Sequence, residues 1–180
     1  MGVGWTGRCT SLIAPSSGPT STQREPKGGP AAEALGRSRG GYSTKIHLRC
    51  ERGGKPLVFV LTSGESHEQP VLPLLMEGGA VKRSGQGRPR IRPERVAGDK
   101  GYSSPSVRCY LRGRQIGVII PTKANESPDA TFDRQAYRER NVVERLINRL
   151  KQWRRIATHY EKRAANYQAM LTVAAILLWL

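Results

Sequence analysis

Tyr42–Thr62, YSTKIHLRCERGGKPLVFVLT, decides the fold class. In its first half Thr44, Ile46, Leu48 and Cys50 alternate with Ser43, Lys45, His47 and Arg49, the period of a strand with one buried face. Glu51–Pro56 (ERGGKP) supplies the Gly-Gly pair that a tight turn accepts, and Leu57–Thr62 (LVFVLT) is a continuous run of β-formers. The three pieces predict a β-hairpin. Downstream, Pro70–Glu77 (PVLPLLME) predicts a short helix, Gly78–Pro93 a basic connector, and Arg95–Ala97 a short strand that stops at Gly98-Asp99. Ser103-Ser104-Pro105 offers a helix N-cap with proline in the first turn, for a helix from Pro105 to about Arg112. Gly117–Pro121 (GVIIP) reads as a buried strand. A helical pattern runs from Asp133 or Arg134 to about Arg155, and a last helix from about Glu161 to Leu180. Hairpin, helix, strand, helix, strand, long helix, helix is the order of a mixed α/β layer structure.

Upstream of the hairpin the pattern disappears. Residues 1–41 are rich in Gly, Pro, Ser and Thr, show no sustained period and contain no Asp. Such a composition buries too little apolar surface to offset its ordering entropy. The expectation is a disordered segment over 1–41 ahead of one domain over 42–180.

With 30 Lys+Arg against 14 Asp+Glu, the 180-residue chain carries a formal charge of +16. That excess points to a polyanionic partner, nucleic acid first and an anionic membrane surface second. Hydrophobic residues at 37% suffice for one modest core and exclude several domains or a multi-span membrane protein. Cys9, Cys50 and Cys109 match neither a disulfide framework nor a CxxC metal site, which fits a reducing compartment. No charged start followed by an apolar run succeeds Met1, so a cytoplasmic location is expected. Met170–Leu180 (MLTVAAILLWL) is about half the ~20 residues of a spanning helix and predicts a buried closing helix.

Chemistry concentrates in Tyr137–Lys151, YRERNVVERLINRLK. At about 100° per residue, Tyr137, Arg140, Glu144 and Lys151 fall on one stripe of a helix, with Asn141, Asn148 and Arg155 on or beside it. Val142, Val143, Leu146, Ile147, Leu150 and Trp153 make the apolar arc next to it. Glu144 is the one carboxylate among cations, amides and a phenol. An i,i+4 ion pair with Arg140 explains it blandly. In the functional reading Glu144 ligates a divalent metal while Tyr137, Arg140 and Lys151 grip phosphates. Asp99, in VAGDKGYSS, is the second candidate. It ends a short strand between Gly98 and Gly101, where α/β sheets place ligand contacts and a substrate backbone can come close. Asp-Lys-Gly is also ordinary turn chemistry.

GRSRGGYSTKIHL, then GDKGYSS, then Tyr137, Arg140, Glu144 and Lys151 at Y-x2-R-x3-E-x6-K spacing, followed by RRIATHYEKR, closely resemble the C-terminal part of bacterial insertion-sequence transposases of the DDE type. The resemblance runs from about Gly36 to the end. It implies a ribonuclease H-like mixed sheet flanked by helices. It also implies two Asp and one Glu binding two Mg²⁺ (or Mn²⁺) ions, and an enzyme that cuts and rejoins transposon ends. Asp99 then resembles the second Asp of the triad and Glu144 its Glu, both catalytic and metal-binding. Tyr137, Arg140 and Lys151, with Asn141, Asn148 and Arg155 beside them, become the DNA-binding residues, and the partner is double-stranded DNA in the nucleoid.

The sequence departs from that pattern at one place. The family's first catalytic Asp lies on a strand before the hairpin, and here no Asp precedes Asp99, while Glu25 and Glu33 end no recognisable strand. A truncated copy, a second reading-frame product and a start read out of frame are the readings left open, and each predicts a fold lacking its first strand. Two-metal catalysis needs carboxylates enough for both ions, so the isolated chain is expected to be inactive. The alternative is a noncatalytic basic DNA-binding remnant that competes with the active transposase. Expected partners besides DNA are a second copy of the chain or an upstream reading-frame product, with no membrane. His47 reads as a strand-surface residue and His67 as a loop residue rather than as metal ligands, because no Cys or His partner stands at ligand spacing. The basic cluster around His159 (Arg154, Arg155, Lys162, Arg163) and the run Lys82–Arg95 are candidate backbone-tracking strips.

Overall fold

The computed structural model describes residues 10–13, 36–38, 41–80, 86–161 and 163–180. Their strands are β1 (Thr10–Ile13), β2 (Gly36–Ser38), β3 (Gly41–Cys50), β4 (Pro56–Ser63), β5 (Arg95–Gly98) and β6 (Gly117–Ile119). The helices are α1 (Leu72–Glu77), α2 (Pro105–Gly113), α3 (Arg134–Arg138), α4 (Asn141–Lys151), α5 (Arg154–Ala157) and α6 (Ala164–Trp179).

β3 and β4 form the predicted hairpin, in register from Thr44↔Ser63 to Cys50↔Pro56 with an irregularity at Arg49/Cys50. Its turn closes through Gly54 N–H to Glu51 C=O and Glu51 N–H to Lys55 C=O, both 3.0 Å, with Gly54 at φ 85°. Only glycine adopts that angle without strain. On the other side β3 pairs antiparallel with β1, β1 pairs parallel with β5, and β5 pairs parallel with β6. The order across the sheet is β4-β3-β1-β5-β6, and β2 pairs the first residues of β3.

Two expectations change here. The first is the fold without a leading strand: Thr10–Ile13 occupies the centre of the sheet, between β3 and β5. Backbone hydrogen bonding to two neighbours orders a segment whose composition alone predicts disorder. Gly36–Ser38 is likewise a strand inside the segment assigned to 1–41, and the rest of that segment, Glu25 and Glu33 included, lies outside the described residues. The second is the half-buried strand. Helices cover both faces, so β3 is buried on each: Ile46, Leu48 and Cys50 on one, His47 and Arg49 on the other.

The core is accordingly double. One apolar cluster joins α1, β5 and α2 through Leu72, Leu75, Val96, Tyr102, Val107 and Leu111. The other joins β3 to α4 and α6 through Ile46, Leu48, Val143, Leu146, Tyr167 and Leu171. Ser104 caps α2 as its sequence predicts, its Oγ accepting from Val107 N–H at 3.2 Å.

The long helix expected from Asp133 or Arg134 to Arg155 is three pieces. Between α3 and α4 the chain tightens into i→i+3 bonds, Arg140 N–H to Tyr137 C=O and Val143 N–H to Arg140 C=O. Trp153, extended at ψ 109°, separates α4 from α5. That bend lets Ile156 join the core and receive the Tyr167 hydroxyl on its carbonyl at 3.1 Å. The closing helix is buried on one side only. Tyr167, Leu171 and Ala174 pack inward, while Val173, Ile176, Leu177 and Leu180 are exposed. No helix among the described residues is long and apolar enough to cross a membrane.

Candidate nucleic-acid interface

α4 presents the face that its sequence predicts. Val143, Leu146, Ile147 and Leu150 are buried, and Asn141, Glu144, Arg145, Asn148, Arg149 and Lys151 are exposed on the opposite side. Arg145, Arg149, Lys151 and Arg154 form no ion pair among the described residues, whereas Arg155 pairs with Glu161 at 3.1 Å. Arg145 and Arg149 are the residues that the motif reading passes over. Their i,i+4 spacing beside Asn141 and Asn148 is the signal that could have found them.

The predicted stripe is only partly assembled. Arg140 donates to Glu144 at 2.8 Å, the pairing that the bland reading anticipates, and its guanidinium lies 5.3 Å from the centroid of the Tyr137 ring. The Arg140 side chain is only 13% exposed, and its Nη1 is buried without a hydrogen-bond partner among the described residues. Arg140 is thus largely engaged at the α3–α4 junction, and Lys151 stands free of that cluster one end of α4 away.

Asp99 directly follows β5. Its Oδ1 accepts from Lys100 N–H at 2.7 Å and caps the 3-10 turn Lys100–Tyr102. Glu68, which belongs to none of the sequence motifs, lies close by: a Cβ on Gly101 would stand 3.0 Å from its carboxyl carbon. Glu68 pairs with Lys45 at 3.1 Å. Burial pushes its carboxyl up, but its own backbone N–H and Lys45 outweigh that and hold it below the usual range. Behind this end of the sheet His47 is fully buried, its Nδ1 3.1 Å from the Tyr102 hydroxyl and its Nε2 2.8 Å from Thr62 Oγ1. Burial, with the nearby Lys45 charge, lowers its pKa to about 4, so the ring is neutral at pH 7. His47 is a structural histidine rather than the strand-surface residue expected.

The hydrogen bonds of the two predicted metal ligands are local, Asp99 to Lys100 and Glu144 to Arg140. The start of α4 is anchored at the β3–β4 turn, where Gly54 lies against Val142 and Arg52 pairs with Glu139 at 3.2 Å. β5 runs away from that turn, and its register along β1 sets Asp99 level with Leu48, near the turn end of β3, where Leu48 shares an apolar cluster with Val143 and Leu146 of α4. A hard divalent cation requires several oxygen ligands. Among the described residues no group of three or more His, Cys, Asp or Glu could hold one. The donors among the described residues therefore do not by themselves make up a two-metal centre. A cleft of about 420 Å³ lined by Arg52, Glu94, Arg95, Asp133 and Glu139 is also unsuited to a polyanion, because Arg52 pairs with Glu139 and Arg95 with Asp133.

Comparison with known proteins places this arrangement. Residues 17–179 match the model of the transposase DDE domain family. The chain is 30% identical to a Burkholderia cepacia protein assigned as the transposase of insertion sequence element IS402, over 98% of this chain and 85% of that protein. It is 27% identical to a Brucella ovis protein assigned likewise to insertion sequence element IS6501, over 77% of this chain and 98% of that protein. The chain belongs to the DDE transposase family.

Proposed function

We propose that this chain is a transposase domain acting in DNA transposition, with a ribonuclease H-like sheet, and that it binds double-stranded transposon-end DNA without completing the chemistry by itself. The observation that carries the reading is the polar face of α4, where Arg145, Arg149 and Lys151 are exposed and lack carboxylate partners among the described residues. Cations so placed meet backbone phosphates and give affinity without sequence readout. Asn141 and Asn148 on the same face can donate to phosphate or sugar oxygens. The family's sheet order favours the fold assignment, since a central strand flanked by an antiparallel hairpin on one side and parallel strands on the other is what β4-β3-β1-β5-β6 describes.

In this reading Asp99 and Glu144 keep the positions of the family's second and third carboxylates. They are the residues that would hold Mg²⁺ or Mn²⁺, and the chemistry such an ion would supply there is Lewis-acid activation of a phosphodiester. Among the described residues these two carboxylates, one of them paired with Arg140, are too few to hold both ions. Binding thus outlasts cleavage, and a competitor of the active enzyme for transposon ends is the function that remains to the chain acting alone. The test is duplex binding measured across a salt series. Affinity should fall steeply with salt. Arg145→Ala, Arg149→Ala and Lys151→Ala should each weaken binding and flatten the slope by about 0.9 for every phosphate no longer neutralised. Affinity independent of salt would sink the proposal.

A further inference from the structure

The basic connector that leads into β5 ends as Arg88-Pro89-Arg90-Ile91-Arg92-Pro93. A proline fixes its own φ and holds the residue before it extended. Arg88 and Arg92 are therefore both kept out of helix, about 12–13 Å apart at the rise of an extended chain. Pro93 is buried, while Arg88 and Arg92 are exposed and form no ion pair among the described residues. Arg90, between them, pairs with Glu94 at 3.4 Å.

Arg49 of β3 holds this segment in place. Its Nη2 donates to the Ile91 carbonyl at 2.8 Å, and its Nη1 to the carbonyls of Leu75, Met76 and Gly78 at the end of α1, at 3.2, 3.1 and 3.0 Å. Arg49 is buried, and its Nε has no hydrogen-bond partner among the described residues. A guanidinium buried on carbonyls alone, with no carboxylate, costs free energy that an exposed one does not. What that cost secures is the position of the connector. Side chains alternate along β3, so Arg49 points to the side of α1, whereas Ile46, Leu48 and Cys50 point to α4. The connector and α4 thus lie on opposite faces of the sheet.

We propose that Arg88 and Arg92 form a second phosphate-binding site, that its ligand is the backbone of a DNA segment other than the one on α4, and that Arg49 is its positioning residue. The role of α4 rests on the function proposed above. Duplex DNA is straight on the scale of one domain, its persistence length being about 150 bp, so a duplex along the outer side of α4 does not also reach the far face. Cations already fixed in place meet phosphates without the ordering cost of a loose basic run.

The test uses the full chain and two short duplexes of one arbitrary sequence, one immobilised and one fluorescent. α4, with three free cations against two, takes the immobilised duplex first, and after washing the bound chain is expected to capture the fluorescent one. Arg88→Ala with Arg92→Ala should weaken that capture about tenfold, flatten its salt slope by about 1.8 for two phosphates, and leave first-duplex binding within about twofold. Arg90→Ala should change neither. Arg49→Lys keeps the charge but loses the fork that spans α1 and Ile91, and should lower second-duplex capture about fivefold with the first duplex held as before. If Arg49→Lys does not fold by circular dichroism, Pro89→Gly, which loosens the same segment at an exposed position, should give the same selective loss. No capture by the unaltered chain overturns the proposal, and so does full capture by the Arg88, Arg92 pair variant, the result that a dimer bridging through two α4 faces would give. Equal loss of both duplexes in that variant overturns the separation of two surfaces. Normal capture by a folded Arg49→Lys chain, or by Pro89→Gly in its stead, overturns the positioning role. Unchanged first-duplex binding after Arg145→Ala, Arg149→Ala and Lys151→Ala together overturns the α4 reading instead, while the connector site is still judged by the Arg88, Arg92 pair.

Discussion

His47 shows what a single residue contributes beyond its place in a pattern. Its folded pKa of about 4 lies below the 6.5 of an unburdened histidine. Between those two values the unfolded chain binds the proton and the folded chain does not, so stability rises with pH across the window. It is complete above pH 6.5 and is lost as pH falls toward about 4, by up to ~3 kcal/mol for this group. His159, buried against Tyr167 and likewise lowered by burial, acts in the same direction. His47→Gln can still bond Tyr102 and Thr62, and it should make the dependence of Tm on pH shallower over this range while leaving the His159 part. An unchanged slope would show that His47 does not titrate on unfolding. The alternation of Tyr42–Cys50 places His47 opposite the buried face but cannot show that α1 and α2 cover that side too. Burial on both faces of β3 is a property of the packing, and so are the hydrogen bonds of Arg49 to the carbonyls of Leu75, Met76, Gly78 and Ile91.

At the scale of elements, local chemistry was the reliable guide. The Gly-Gly turn, the short strand before Asp99 and the Ser104–Pro105 start of α2 were legible because each depends on one or two residues and their backbone preferences. Ser104→Ala removes the oxygen that receives Val107 N–H. It should cost about 1 kcal/mol, the usual value for an N-cap, measured as a shift of the urea midpoint at unchanged m. A change near zero would mean that the first turn is held by Pro105 and packing alone. The division of the long helix was not legible, since Tyr137–Trp153 keeps a helical period throughout. The joint at Arg140 and the bend at Trp153 follow from docking α4 on β3 and bringing Ile156 and Tyr167 into the same core. β1 was invisible for a related reason. Four residues without alternation become a strand only because β3 and β5 lie on either side of them.

For the whole molecule, charge and topology were readable and the completeness of the site was not decided by either alone. The net charge of +16 is set by composition, while the free cations of α4 come from the way its apolar arc is buried and its one carboxylate is taken by Arg140. The sheet has a central strand, Thr10–Ile13, and no Asp precedes Asp99 in the sequence. These points join in one claim, that the chain grips DNA and cannot cut it unaided. A nicking assay tests this most directly, using the 180-residue chain on a transposon-end duplex with Mg²⁺ or Mn²⁺ at protein concentrations that saturate binding. The expected result is a fully bound and intact duplex; metal-dependent nicking that disappears in Asp99→Asn would contradict it.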